Sequence, residues 1–268
     1  MSPASGHEVG RVGVSAKAAP PPNSFEDFTE QAYASLIDLA RSRFAFAPFG
    51  STNDAPHALW RHDVDVSVHR ALALALIEAA RGVRSTWFLS LHSAFYNLLD
   101  ADVAAHARTL LRLGHWLGLH FDLAAYADLD DEAGLHRLVE RERALLEDWL
   151  EHPVTAVSFH NPDVVTLPAM RADHVGGLPN AYAASLEARY LYVSDSNGYW
   201  RFQRLADVLA DTDVERLHVL THPEWWPPQP MSPRDRIERA ARGRADDTLR
   251  NYDAALARYG RTNVREPG

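Results

Sequence analysis

Ala58-Leu59-Trp60-Arg61-His62-Asp63-Val64-Asp65 is the stretch that decides how this chain reads. Residues 58–60 are apolar and predict a short strand, which runs straight into a charged segment. In extended chain, alternate residues share a face, so Asp63 and Asp65 point one way and His62 and Val64 the other. An amphipathic helix follows over 68–80, closed by Gly82. Strand, polar edge and helix then recur. Strands are predicted over 85–91, 116–121, 155–159, 191–193 and 217–220, and helices over 101–113, 130–150 and 202–209. A helix over 24–43, capped by Ser24, precedes the series, and a polar helix over 234–259 closes it. Residues 163–190 are weakly patterned and read as loops and short strands. Alternating strands and helices imply parallel βα units.

Composition bounds the rest. The chain has 268 residues, 46% hydrophobic and 24% charged, which is enough apolar material for a sizeable core. There is no Cys, which excludes disulfides, Fe–S clusters, thiolate zinc sites and Cys nucleophiles. Any metal must therefore be held by nitrogen and oxygen. Lys17 is the single lysine, which disfavours Schiff-base chemistry and a P-loop. The net charge of −9 speaks against a nucleic-acid partner. Mixed charges along the last helix read as a solvated face. Residues 1–23 are small, Pro-rich and lack a secretory pattern, so they read as a disordered leader to a single domain over 24–268. No window is long and apolar enough to span a membrane, and the expected location is cytoplasmic. Oligomeric state stays open. No Gly-x-Gly-x-x-Gly, Gly-x-Ser-x-Gly or His-Glu-x-x-His occurs.

The fourteen His are the unusual feature. Asp63 and Asp65, His120 and Asp122, His160 and Asn161, Asp195, and His222 and Glu224 all stand just beyond apolar strands. The carboxyl ends of parallel strands are where α/β active sites are built. His115 lies at an odd offset from His120, points to the opposite face, and reads as structural. Each of these groups also has a bland reading: Asp63 or Asp65 as a helix cap, a lone His as a packed core residue, Trp225 and Trp226 as a hydrophobic plug.

Arg61-His62-Asp63-Val64-Asp65 resembles the first motif of polysaccharide deacetylases of the NodB-homology, carbohydrate esterase 4 family. Gly114-His115-Trp116-Leu117-Gly118-Leu119-His120 resembles its second motif, and Leu220-Thr221-His222 its last. The resemblance spans residues 58 to about 226. It implies an irregular (β/α) barrel of about seven parallel strands, with an N-terminal helix and a long C-terminal helix. It also implies a divalent metal, zinc or similar, held by Asp65 and His120. The chain departs from the pattern at Ala124, where a second metal His is expected, and at Val64, which separates two usually adjacent Asp. Ser158-Phe159-His160-Asn161-Pro162 stands where an Arg-x-Pro motif is expected. His160 or Asp122 then supplies the third ligand, His160 being favoured. In the reaction implied, Asp63 is the general base and His222 protonates the leaving amine. Asp195 or Glu224 orients a His, and Asn161, Trp225 and Trp226 contact a sugar. The expected function is metal-dependent removal of an N-acetyl or related acyl group from a carbohydrate. The variant motifs resemble a branch associated with bacterial surface-polysaccharide biosynthesis. The altered second motif leaves two alternatives: hydrolysis of a non-sugar C–N bond, or sugar binding without catalysis.

Overall fold

A computed structural model of the chain describes residues 24–51, 55–162 and 167–264; the leader expected over 1–23 lies outside the described residues. The strands, in chain order, are β1 (Ala45–Phe46), β2 (His57–Val64), β3 (Thr86–Leu89), β4 (Trp116–Asp122), β5 (Val154–His160), β6 (His174–Val175), β7 (Leu178–Pro179), β8 (Leu191–Ser194) and β9 (Arg216–Thr221). The helices are α1 (Glu30–Arg41), α2 (Val68–Ala79), α3 (Ala101–Arg112), α4 (Glu132–Leu150), α5 (Ala184–Arg189), α6 (Leu205–Ala210) and α7 (Pro233–Arg258). One sheet of seven strands runs β5-β4-β3-β2-β9-β8, with β1 paired to the start of β2. Every pairing in it is parallel. β6 and β7 form a separate antiparallel pair.

The sheet curls into an irregular (β/α) barrel, and two-residue alternation sorts its side chains. Leu59, Phe88 and Ala156 face inward and pack with Phe49 and Tyr190 in a small inner cluster. Trp60, Val64, Trp87, Leu119, Phe121, Phe159 and Val219 face outward and form the main core with the helices. Both faces are covered, which is why the strands read as nearly continuous apolar runs.

The helices start where local capping chemistry allows. The helix expected from Ser24 is interrupted: Phe25–Phe28 is a 3₁₀ turn, and the Thr29 hydroxyl caps α1 by accepting from the Ala32 amide at 3.1 Å. Ser67 caps α2, accepting from the Arg70 amide at 3.2 Å, so neither Asp63 nor Asp65 serves as its cap. Asp100, Asp131 and Ser232 cap α3, α4 and α7. Gly82 (φ +69°) and Gly114 (φ +97°) end α2 and α3 in the left-handed region that glycine favours.

β2 is longer than the apolar run suggested, extending through the charged motif to Val64. Its polar side chains have partners on both faces. On the outer face His62 stacks on Trp87 with ring centroids 3.6 Å apart and lies 2.7 Å from Thr221 Oγ1 and 3.0 Å from Glu78 Oε1. On the inner face Arg61 Nη2 lies 3.4 Å from Asp63 Oδ2, and the guanidinium sits over the Tyr182 ring at 4.6 Å. Partnered polar groups can be buried in a strand; sequence alone does not reveal the partners.

Candidate metal centre

Three strands deliver one ligand atom each to the carboxyl edge of the barrel. Asp65 follows β2, His120 lies near the end of β4 and His160 ends β5. The register sets His120 opposite Ser158 and Asp122 opposite His160, so the two imidazoles rise from neighbouring strands on one face. His120 Nε2 lies 3.0 Å from Asp65 Oδ1 and 3.2 Å from His160 Nδ1, and His160 Nδ1 lies 3.4 Å from the same Asp65 oxygen. One ligand atom from each of the three residues lies within 4.8 Å of the others. Asp65 Oδ1 is buried and receives no well-directed hydrogen bond. A buried, convergent carboxylate–imidazole–imidazole set fits a divalent ion with nitrogen and oxygen preference.

The residues below this group fix its chemistry. Ser158 Oγ lies 2.7 Å from His120 Nδ1 and donates to Asp63 Oδ1 at 3.4 Å. Because the Ser158 proton goes to Asp63, the hydroxyl oxygen accepts from His120 Nδ1–H. That leaves His120 Nε2 as the bare nitrogen facing Asp65, the tautomer a metal ligand needs. Asp63 is itself 1% exposed, held by Arg61 and Ser158 beneath the group. The end of β2 is pinned from the other side: Tyr96 Oη donates to the Val64 carbonyl at 2.9 Å and Ser93 Oγ to the Asp65 carbonyl at 2.8 Å.

His222, just past β9, stands beside the group with Nε2 3.9 Å from Asp65 Oδ2. Its Nδ1–H donates to Asp195 Oδ1 at 2.7 Å, and its backbone amide also donates to the Asp195 carboxylate, at 3.0 Å to Oδ2. Trp226 Nε1 donates to Asp195 Oδ2 at 2.9 Å. Burial alone would favour neutral His222, but Asp195 and Asp65 outweigh it and raise its pKa to about 10. Burial opposes charge on Asp65 too, yet His120 and His160 hold its carboxyl well below the usual range. Contact with Asp65 raises His160. Glu224 is buried, and burial together with the Asp65 charge pushes its carboxyl well above the usual range.

The sequence-predicted residues thus sort unevenly. Asp63, Asp65, His120, His160 and His222 come together, and Asp195 is the residue that orients a His. Asp122 stays apart: its Oδ1 accepts from the Ala124 amide at 3.0 Å and caps a short 3₁₀ turn. His115 is buried away from the site, with Nε2 3.1 Å from the Ala75 carbonyl. Asn161 is exposed beside the group in left-handed backbone (φ +44°), its Nδ2 2.9 Å from His160 Nε2. Such a conformation in a non-glycine residue costs energy, and Asn tolerates it best. Trp226 needs correcting as a sugar contact. It is 0% exposed and packs against Phe28, Tyr33 and Trp200, so its face is taken. Trp225 is buried beside it. Ser158 and Arg61 had no signal of their own. The clue was alternation: each stands two residues before a site residue and so shares its face.

No known family profile and no curated protein matches the chain. Similar solved structures include a chitin deacetylase from the fungal pathogen Colletotrichum lindemuthianum, with 15% identity, 74% of this chain and 88% of that one covered, and a TM-score of 0.44. A family 4 carbohydrate esterase from Streptomyces lividans in complex with acetate shows 14% identity, 74% and 91% coverage, and a TM-score of 0.37. A mutant CE4 family pseudoenzyme with restored enzymatic activity shows 11% identity, 76% and 67% coverage, and a TM-score of 0.42.

Proposed function

We propose that the protein is a metal-dependent hydrolase that removes an N-acetyl or related acyl group from a carbohydrate. The observation that carries this reading is the convergence of Asp65, His120 and His160 from three strand ends, with the His222–Asp195 pair beside them. A divalent ion held there, zinc being the best match to the donor set, would supply a water of lowered pKa and polarise the carbonyl. Asp65, His120 and His160 would hold it. Asp63, on the same strand face as Asp65, takes the water proton. His222 carries a proton on Nε2 at neutral pH, because Asp195 engages its other nitrogen, and passes it to the departing amine nitrogen. Water and amide thereby become a carboxylic acid and an amine. The motif resemblance supports a carbohydrate as the acyl carrier, in surface-polysaccharide metabolism.

The test is metal content and turnover measured on the same samples. Wild-type protein is expected to hold about one divalent ion per chain and to release acetate from N-acetylated sugars. Asp65→Ala is expected to lose both together, with turnover down at least about a hundredfold. Full turnover in thoroughly metal-stripped wild type would overturn the reading.

A further inference from the structure

A second histidine–carboxylate pair stands on the edge that carries the candidate centre. His92 follows β3, in a loop tied to the end of β2 on both sides of it. Ser93 Oγ donates to the Asp65 carbonyl at 2.8 Å. The Ser90 amide donates to Tyr96 Oη at 2.9 Å, and that hydroxyl donates in turn to the Val64 carbonyl. From this loop the imidazole reaches the turn after β4. Its Nε2 lies 3.0 Å from Oε1 of Glu142, on α4, and 3.3 Å from Tyr126 Oη. Tyr126 directly follows the 3₁₀ turn Leu123–Ala125 that Asp122 caps. His92 thus bridges the ends of β3 and β4, beside the strand ends that deliver Asp65 and His120.

These contacts fix the imidazole. Tyr126 Oη donates to Glu142 Oε1 at 2.5 Å, so the phenol oxygen and the carboxylate oxygen both face His92 Nε2 as acceptors. Nε2 therefore carries the hydrogen, and Nδ1 is left as an acceptor. Among the described residues Nδ1 has no partner. The His92 side chain is 38% exposed and that of Glu142 2%, so a buried carboxylate aims a solvent-facing nitrogen. Holding that carboxylate there is costly: burial raises its pKa, and its Oε2 has no hydrogen-bond partner. The Asp122 charge acts on Glu142 and on His160 alike, which sets the pair and the ligand group on one rim. The arrangement repeats the one at His222, where Asp195 takes one imidazole nitrogen and the other faces Asp65.

We propose that His92 is a substrate-binding residue whose Nδ1 accepts a hydrogen bond from a ring hydroxyl of the N-acylated sugar, with Glu142 and Tyr126 positioning the imidazole. This rests on the hydrolase reading and adds a determinant of which sugar is accepted. A fixed acceptor rejects the analogue that lacks the hydroxyl, because it gives up water and gains no partner.

The experiment compares kcat/KM of the zinc-loaded full chain on N-acetylglucosamine and on its 3-deoxy, 4-deoxy and 6-deoxy analogues. Binding of each probe is followed in parallel by calorimetric titration. Wild type is expected to disfavour one deoxy analogue at least about fivefold, the scale of one neutral hydrogen bond. In His92→Ala the parent sugar is expected to fall to the level of that analogue, so that the ratio becomes about one. His92→Asn, whose amide can offer an oxygen near the Nδ1 position, is expected to recover part of the ratio. Glu142→Gln is expected to lower the ratio through KM more than through kcat, as loss of positioning requires. If Glu142→Gln does not fold, the two variants at the exposed His92 carry the test. No preference in wild type, or the same preference in His92→Ala, overturns this inference and leaves the hydrolase reading standing. A His92-dependent preference in binding without turnover of any probe overturns the hydrolase reading and keeps the sugar contact. Neither binding nor turnover overturns both.

Discussion

At the scale of single residues, the proposed reaction divides labour between groups that would hold the metal and groups that would transfer a proton. Asp63 lies within 3.8 Å of His120 Nδ1 and 3.4 Å of Arg61, beneath the convergent ligand atoms. A carboxylate there can accept a proton from water, and it also reaches His120 through Ser158. The two roles separate experimentally. Asp63→Asn is expected to lower kcat by about 10²–10⁴ while the metal stays bound, the loss typical of a missing acid or base. A parallel loss of metal would instead mark Asp63 as an orienting residue for His120. His222→Asn is expected to lower kcat on a similar scale with KM little changed. Amides with poor leaving groups should suffer most if His222 acts on the departing nitrogen, as the proposed reaction has it.

At the scale of elements, close packing of the strands places the ligands. Gly118 of β4 faces the barrel interior, and a Cβ there would meet the Phe88 ring at 2.4 Å. Phe88 of β3 belongs to the inner cluster that fills the barrel under the site. Gly118→Ala is therefore expected to destabilise the protein by about 1–3 kcal/mol, read as a lowered Tm. It should also loosen the metal, because β4 carries His120 two residues further on. The second-motif glycine was legible in the sequence as a motif position; its physical reason, an aromatic ring from the neighbouring strand, was not.

At the scale of the whole molecule, a buried polar network fastens the helices to the outer face of the sheet. Tyr33 of α1 donates to Glu78 of α2 at 2.5 Å, and Glu78 Oε1 lies 3.0 Å from His62 of β2. Ser85 also donates to Glu78, and His115 lies 3.6 Å from it. Burial would raise the Glu78 carboxyl, but His62, His115 and Ser85 outweigh it and hold the carboxyl below its ordinary value. A depressed folded pKa means that this contribution to stability is present above the ordinary carboxylate pKa and is lost as pH falls through the folded value. Unfolding monitored against pH is expected to show Tm dropping on the acid side, and Glu78→Gln is expected to flatten that part of the curve. Glu78→Ala removes one partner from a buried pair and should cost about 3–5 kcal/mol.

The sequence by itself determined a good part of this protein. The period-two and helical patterns specified a parallel α/β chain, because burial on both sheet faces demands apolar strands and amphipathic helices. Odd and even offsets placed Asp63 with Asp65 and set His115 apart from His120, since backbone geometry alone dictates which face a strand residue takes. Polar residues beyond apolar strands named the edge where the site lies. What tertiary structure decided were the partnerships between strands distant in sequence. It brought the His160 ring, and not Asp122, beside Asp65 and His120, while the Ala124 amide claims Asp122. It took Trp226 from the sugar and gave it to the core and to Asp195. It left the Arg236 guanidinium buried over the Phe28 ring without a hydrogen-bonded partner. Local pattern fixes which way a side chain faces, but its neighbour depends on register and packing, and these are set only when the chain closes on itself.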